Sequence, residues 1–363
     1  MKSLQILGVR GVPAAHGGFE TFAEKLSLHL VSRGWNVVVY CQEEGRGKVY
    51  RSSWRGVVRV HIPVSGSGVW STMKFDFIAA FLAMRIGGLC LTLGYNTALF
   101  NILQRLNGCK NIMNMDGVEW KRAKWGIGAK TWFYINEKIG SRVSHHLIAD
   151  HPEIKKHLTR NVASDKITMI PYGAEKLNSG SLDLLARYGL SDKSYSIVIA
   201  RPEPENSILE IVKAFSKRVR NHNLVVLGKY TNDNYHREVI EAASEEVLFV
   251  GAIYDLKVVS SLRYYALSYF HGHQVGGTNP SLVEALGAGL PIIAHNNRFN
   301  RWVAGDAAIY FCSEDECDDI ITRLLQSPEA CSSLSKSSLK RHGEAFRWDD
   351  VLQSYEELLA YWD

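Results

Sequence analysis

Residues 272–289 set a glycine-rich polar loop, holding Gly272, Gly276 and Gly277, directly before a short apolar helix that carries one acid, Glu284. A loop without bulky side chains lets backbone N–H groups approach a phosphate or a sugar, and the helix N-terminus behind it adds favourable partial charge. A carboxylate on the first turns of that helix can accept hydrogen bonds from vicinal hydroxyls such as those of a ribose. The pattern suggests a nucleotide-sugar site, the alternative being a loop that serves packing alone. His271 and His273 stand just ahead of the loop, which makes one of them, His273, a further candidate ligand. No carboxylate accompanies them at ligand spacing, and no D-x-D triplet occurs, so no metal site is expected.

Three other segments place chemistry at the ends of apolar runs. After the run 5–9 come Gly17 and Gly18, where a diphosphate or a sugar can approach the helix that follows, although a glycine pair also simply makes a turn. After the run 111–115 comes Asp116, a partner for a sugar hydroxyl or a base toward an acceptor, with a helix cap as the other reading. After the run 196–200 comes Arg201, which can fork onto diphosphate oxygens as leaving-group charge develops. Lys229, just after the run 223–227 and Gly228, can supply a second positive charge or sit in a surface ion pair. Trp120, Trp125 and Trp132, interleaved with Lys121, Arg122, Lys124 and Lys130, suit either a membrane-facing surface or a solvated helix with half-buried indoles.

These residues need strand ends to hold them, and the chain supplies strands alternating with helices, which implies parallel sheets flanked by helices. In the first half the spacing predicts strands at 5–9, 36–40, 57–62, 89–93, 111–115 and 146–149, with helices at 19–33, 75–86 and 132–144. In the second it predicts strands at 194–200, 223–227, 247–250, 266–270 and 291–294 and a helix at 208–218. Residues 346–359 carry apolar residues at helical spacing, a closing helix able to cross back onto the first domain. The expected division is 1–175 and 176–345, with 346–363 added to the first domain and 176–193 as a linker.

A length of 363 residues, 46% hydrophobic and 22% charged, fits two ordinary globular domains. The apolar run 75–93 is broken by Asp76, Arg85, Gly87 and Gly88, so no transmembrane helix is expected, and the N-terminus reads as a strand rather than a signal peptide. Six cysteines without C-x-x-C spacing argue against a zinc site or a disulfide framework, and for a reducing, cytoplasmic setting. Residues 1–150 hold 19 Lys and Arg against 9 Asp and Glu, a formal +10, which leaves the remainder at −5. That asymmetry faces the first half toward something anionic, such as a membrane surface or a diphosphate-linked lipid, or else is plain surface charge. No nucleic-acid motif appears.

The segments 8–21, 116–122 and 271–281, in this order, resemble the family 4 retaining glycosyltransferases of GT-B fold, two Rossmann-like domains facing across a cleft. More narrowly they look like the bacterial β1-4 rhamnosyltransferases of capsule and O-antigen assembly. The resemblance covers nearly the whole chain. It implies that Glu284 binds the nucleoside ribose and that Arg201 neutralises the diphosphate. It also implies that Gly17, Gly18 and neighbouring Glu20 lie near the donor, with backbone amides of Gly277, Thr278 and Asn279 offered to it. Three positions depart from the family pattern: Gly276 stands where a second acid is usual, Asn206 where a lysine is, and Asp116 where a histidine is.

The reading that follows is a retaining, metal-independent hexosyltransferase without cofactor. Arg201, Asp116 and Lys229 are its expected catalytic groups. The subgroup suggests dTDP-rhamnose as donor and a polyprenyl-diphosphate-linked saccharide as acceptor, at the inner face of the cytoplasmic membrane. The other expectations are a GT-B nucleotide-sugar 2-epimerase, and a sugar-nucleotide-binding protein without activity.

Overall fold

The structure, a computed structural model, describes residues 2–15, 17–66 and 68–363; Met1, His16 and Ser67 lie outside the described residues. Two compact units share the chain. One comprises 1–171 with 349–363, the other 172–348.

The first unit is built on eight strands: β1 Ser3–Leu7, β2 Asn36–Glu44, β3 Tyr50–Trp54, β4 Val57–Val64, β5 Leu89–Leu93, β6 Lys110–Asn114, β7 His146–Ala149 and β8 Ile167–Met169. They lie in the order β3-β4-β2-β1-β5-β6-β7-β8. Every pairing is parallel except that of β3 with β4. This antiparallel edge is absent from the sequence expectation, because Tyr50-Arg51-Ser52-Ser53-Trp54 is mostly polar and stays half-exposed, without an apolar signature. Short β8 escaped for lack of length. Elsewhere strands run of four to nine residues rich in Val, Ile and Leu, as buried parallel strands should be.

The second unit holds β9 Tyr195–Ile199, β10 Asn223–Leu227, β11 Val247–Gly251, β12 Tyr269–His271, β13 Ile292–His295 and β14 Ala308–Phe311. All pair in parallel, in the order β11-β10-β9-β12-β13-β14. Successive residues of its central strands point to opposite faces, and both faces are buried. Ile197, Val225, Tyr269 and Ile292 join one core with Leu282, Val283 and Leu286 of the helix Pro280–Gly287. Val198, Val226, Phe270 and Ile293 join another with Ile208, Ile211 and Phe215 of the helix Ile208–Ser216. Strand β12 begins at Tyr269, later than the expected 266, although Leu267 N already donates to Tyr195 O at 2.7 Å and Ser268 O accepts from Ile197 N at 3.0 Å.

The last helix, Trp348–Trp362, belongs with the first unit from Asp349 onward. The ring of Tyr355, fully buried, sits 4.6 Å from that of Phe22, and its hydroxyl accepts from Asn114 Nδ2 at 2.8 Å. Glu356 meets His29 at 2.8 Å, and the backbone of Asp363 accepts from Lys110 at 3.0 Å. The expected crossing back of the C-terminal helix is thus observed. No helix among the described residues is long and apolar enough to cross a membrane.

Candidate active site

Numbered within its own unit, the second sheet runs 3-2-1-4-5-6, the doubly wound order. The chain reverses its direction of travel between β9 and β12, and in such sheets ligands bind outside the carboxyl ends of the strands at that point. Strand β9 exits into Arg201, and β12 exits into the glycine loop.

These two exits are stitched together. Gln274 donates its backbone N–H to Glu205 O and its Nε2 to Ser207 Oγ, both at 2.9 Å. Gly272 lies so close to the opposite backbone that a Cβ there would come within 2.1 Å of Asn206 O. The carbonyl of His273 accepts from Asn297 Nδ2 and Asn300 Nδ2, each at 2.9 Å. At the other end of the loop Asn279 caps the helix Pro280–Gly287, its side chain accepting from Ser281 N at 3.0 Å, with Pro280 preset for the first turn. Gly276 between them has φ 140°, a conformation that favours glycine. Gly277 and Thr278 complete the loop, Thr278 being buried. The loop is fixed at both ends and partly open in the middle.

Glu284 lies on the second turn of that helix. Its Oε2 is 2.5 Å from Arg263 Nη2, and the arginine side chain is 9% exposed where the carboxylate is 35%. The buried guanidinium therefore orients the carboxylate from below and leaves its second oxygen as an acceptor. Arg263 comes from the helix Leu256–Tyr265, which the sequence reading did not anticipate.

Arg201 is 68% exposed, and among the described residues its side chain is restrained by a 3.9 Å contact to Glu203 alone. Lys229 leaves the adjacent strand β10, is exposed, and makes no ion pair among the described residues. At Gly228 a Cβ would come within 2.7 Å of Ala200 O, so the two strand ends run close together. Asn206, buried, donates Nδ2 to Arg201 O at 2.8 Å. Where the family pattern has a lysine, this chain has a brace for the arginine's backbone.

His271 is fully buried and stacks on His273, ring centroids 4.4 Å apart and 8° from parallel. Burial first, then the neighbouring imidazole, holds His271 well below the ordinary histidine range. It is therefore neutral and acts as a wall of the loop. Among the described residues no group of three or more His, Cys, Asp or Glu gathers as a metal ion would need.

In the first unit the switch point falls between β1 and β5, where Gly8 has φ 82° and a Cβ would come within 2.1 Å of Leu93 O. The loop beyond is pinned by two acids of the helix Gly18–Ser32: Glu20 accepts from Arg10 N at 3.2 Å and Glu24 from Ala14 N at 2.6 Å. Glu20, expected beside the donor, spends one oxygen on the loop itself. Gly17 is extended at φ 176°, and Gly18 opens the helix, so neither is demanded by its backbone.

Asp116 has φ 49° and donates its N–H to Asn114 Oδ1 at 2.9 Å. It caps no helix, because the next turn, Glu119–Lys121, begins after Val118. Buried Tyr95, at the end of β5, holds that segment by donating to Gly117 O at 3.1 Å and accepting from Glu119 N at 2.8 Å. Nearby, Asp76 of the helix Val69–Ile86 accepts from Thr97 Oγ1 at 2.8 Å, and burial pushes its carboxyl up to about 6 against that hydrogen bond. The indoles of Trp120, Trp125 and Trp132 donate to Glu137, Glu119 and Asn96 O, the half-buried arrangement rather than an outward-facing one.

Residues 186–341 match the family model described as glycosyl transferases group 1, and residues 1–175 match a domain of unknown function, DUF1972. No curated protein matches the sequence. Among solved structures, a sucrose-phosphate synthase from Thermosynechococcus elongatus is similar at 18% identity and TM-score 0.81, over 99% of this chain and 100% of that one. The Anabaena protein HepE in complex with UDP and glucose is similar at 12% and 0.78, over 99% of each. A glycosyltransferase from Rickettsia africae is similar at 13% and 0.72, over 99% and 97%. At these identities the likeness is one of fold, and the fold is that of the two-domain GT-B proteins.

Proposed function

We propose that this chain, a GT-B glycosyltransferase with a group 1 domain at residues 186–341, moves a hexose with retention from a nucleoside diphosphate to a saccharide acceptor. The observation that carries the reading is the Arg263–Glu284 pair, placed beneath a glycine loop at the switch point of the second sheet. A carboxylate so oriented accepts from the two hydroxyls of a ribose. The loop amides of Gly277, Thr278 and Asn279 and the helix behind them then meet the diphosphate.

Arg201 and Lys229, both exposed at adjacent strand ends, neutralise the charge that grows on the leaving diphosphate. Bond breaking runs ahead of bond making in an ion pair, and the departing phosphate oxygen takes the acceptor's proton on the same face. Positive side chains and backbone amides can carry that step without a metal. Asp116, Gly17 and Gly18 fall to the acceptor and sugar side. An inverted anomeric product overturns this reading; so does undiminished donor binding in a folded Glu284→Ala protein.

The motifs support dTDP-rhamnose as the donor. The likeness to HepE, solved with UDP and glucose, supports UDP-glucose as the second choice. Thermal stabilisation by dTDP and dTDP-rhamnose, absent from Glu284→Ala, decides for the first; stabilisation by the uridine pair alone decides for the second.

A lipid-linked acceptor at a membrane face is supported by the charge of +10 in residues 1–150 and by side chains that the sequence reading passed over. Val69 and Trp70 open the helix that follows β4, and Ile127 opens the helix that follows β6. They are 70%, 82% and 86% exposed. Both helices start on the side of the sheet where β4 and β6 end. Apolar side chains among lysines at that rim suit a polyprenyl chain entering from an anionic surface.

A further inference from the structure

A cavity of about 200 Å³ opens in the first unit beside β2, and the reading above gives it no role. Its walls are the loop after β1, from Arg10 to Pro13, with Gln42 and Glu43 of β2 and Arg59 and His61 of β4. The loop is held against β2 by Gln42 N donating to Arg10 O at 2.8 Å. Gly11, at φ 143°, keeps it close, since a Cβ there would press on Cys41 Sγ at 3.1 Å.

Arg59 is set in place from two sides. It donates Nε to Ser52 Oγ at 3.0 Å and Nη1 to Val12 O at 3.3 Å. Ser52 in turn meets His61 Nε2 at 2.7 Å, and Tyr50 stacks on the His61 ring at 4.4 Å, 4° from parallel. His61 Nδ1 and Tyr50 OH converge on one oxygen of Glu43, at 2.6 and 2.7 Å. One oxygen of the cavity's single acid is thus already engaged. Arg10 makes no side-chain hydrogen bond or ion pair among the described residues. Two guanidinium groups against one carboxylate leave the cavity positive, with donors in excess of acceptors.

We propose that this cavity binds the anionic group of the acceptor, a carboxylate or a phosphate ester carried by a single sugar residue. The proposal rests on the transferase reading. The volume equals roughly six or seven waters at about 30 Å³ each, room for one sugar's charged end. Pockets that enclose drug-sized ligands start at about 300 Å³, so this open cavity encloses less than a whole nucleoside diphosphate. Arg59, preset by Ser52 and Val12 O, presents its remaining N–H groups in a fixed fork, and exposed Arg10 closes from the rim.

The test is calorimetric titration of the full-length protein with glucose 6-phosphate, glucuronate and glucose, and separately with dTDP and UDP. At least one anionic sugar should bind about tenfold more tightly than glucose. That advantage should vanish in Arg59→Gln and in Arg10→Gln, with nucleotide affinity unchanged in both. Preference for glucose 6-phosphate identifies a phosphate ester, and preference for glucuronate a carboxylate. Arg10→Gln removes an exposed, unbonded side chain, so it stays informative if Arg59→Gln folds poorly. No preference over glucose, or a preference that survives both variants, overturns the proposal while nucleotide binding leaves the transferase reading standing. Loss of nucleotide affinity in Arg10→Gln also overturns it and assigns the cavity to the donor. Failure of wild type to bind either nucleotide removes the transferase reading itself.

Discussion

The guanidinium of Arg263 lies 2.5 Å from the carboxylate of Glu284, the arginine nearly buried and the acid one-third exposed. The arginine's orientation is set by the core, and the acid inherits it. Replacing Arg263 by Gln leaves Glu284 charged and solvated but free to turn. Donor KM should rise about tenfold with kcat little changed, the mark of lost positioning in the ground state. Arg263→Lys, which restores the charge without the fork, should recover part of the affinity. A change confined to kcat would instead place Arg263 in the chemical step.

Gly272 and Gly17 predict opposite tolerances. A methyl at Gly272 would meet the Asn206 carbonyl at 2.1 Å, and backbone cannot swing aside as a side chain can. Gly272→Ala should therefore cost about 1–3 kcal/mol and loosen the joint between the Arg201 loop and the glycine loop. Gly17 is extended, and its methyl would meet only the flexible end of Glu20 at 3.3 Å. Gly17→Ala should keep its thermal midpoint within a few degrees of wild type. If its activity nonetheless collapses, Gly17 is needed for close approach of a ligand.

The alternation of strands and helices, most core strands and the closing helix were legible because each carries its own apolar signature over several residues. The Arg201 and Glu284 loops were legible because chemistry in a parallel sheet gathers at strand exits. Arg263 was not, since it stands 21 residues before its partner on a helix that the reading passed over, although Asp255 caps it and Val258, Val259 and Leu262 recur at helical spacing. Asn206 looked like a lost positive charge; only the fold reveals a side chain that braces Arg201 O. Asp116 was open between cap and ligand, and a positive φ with no helix behind it removes the cap. The cavity of Arg10 and Arg59 needs β2, β4 and the antiparallel β3 side by side, and polar β3 left no trace in the pattern.

Asp76 and His271 tie stability to pH with opposite signs. The Asp76 carboxyl rises from 3.8 to about 6 on folding, so the native state holds a proton that the unfolded chain releases. Stability from this group is greatest below pH 4 and falls as pH rises from about 4 to 6, by at most about 3 kcal/mol. Asp76→Asn should thus stabilise the protein at pH 7, and the gain should disappear near pH 4. His271 is lowered from 6.5, so the unfolded chain gains a proton that the native loop refuses. Its contribution is present above pH 6.5 and is lost as pH falls below that value. Urea unfolding of wild type and Asp76→Asn between pH 4 and 8 separates the two terms. A difference between the proteins that is the same at every pH would refute the raised carboxyl.

Trp70 and Ile127 decide whether the first unit touches lipid. Both are exposed to more than 80%, at the starts of helices that follow β4 and β6, in a half of the chain that carries +10. Burying an indole and a branched aliphatic side chain in a headgroup layer gains apolar transfer energy, and the basic surface adds attraction to anionic lipid. Wild type should co-sediment with vesicles containing phosphatidylglycerol and much less with pure phosphatidylcholine. The double variant Trp70→Ser, Ile127→Ser should lose most of that binding, while its nucleotide-induced thermal shift stays intact, since neither residue lies in the unit that holds Glu284. Binding that persists in the variant and fades only with salt would leave the basic charge as the whole of the attraction. Equal binding to both vesicle types would remove the basic charge from the attraction, and binding to neither would remove the membrane from the account of the acceptor.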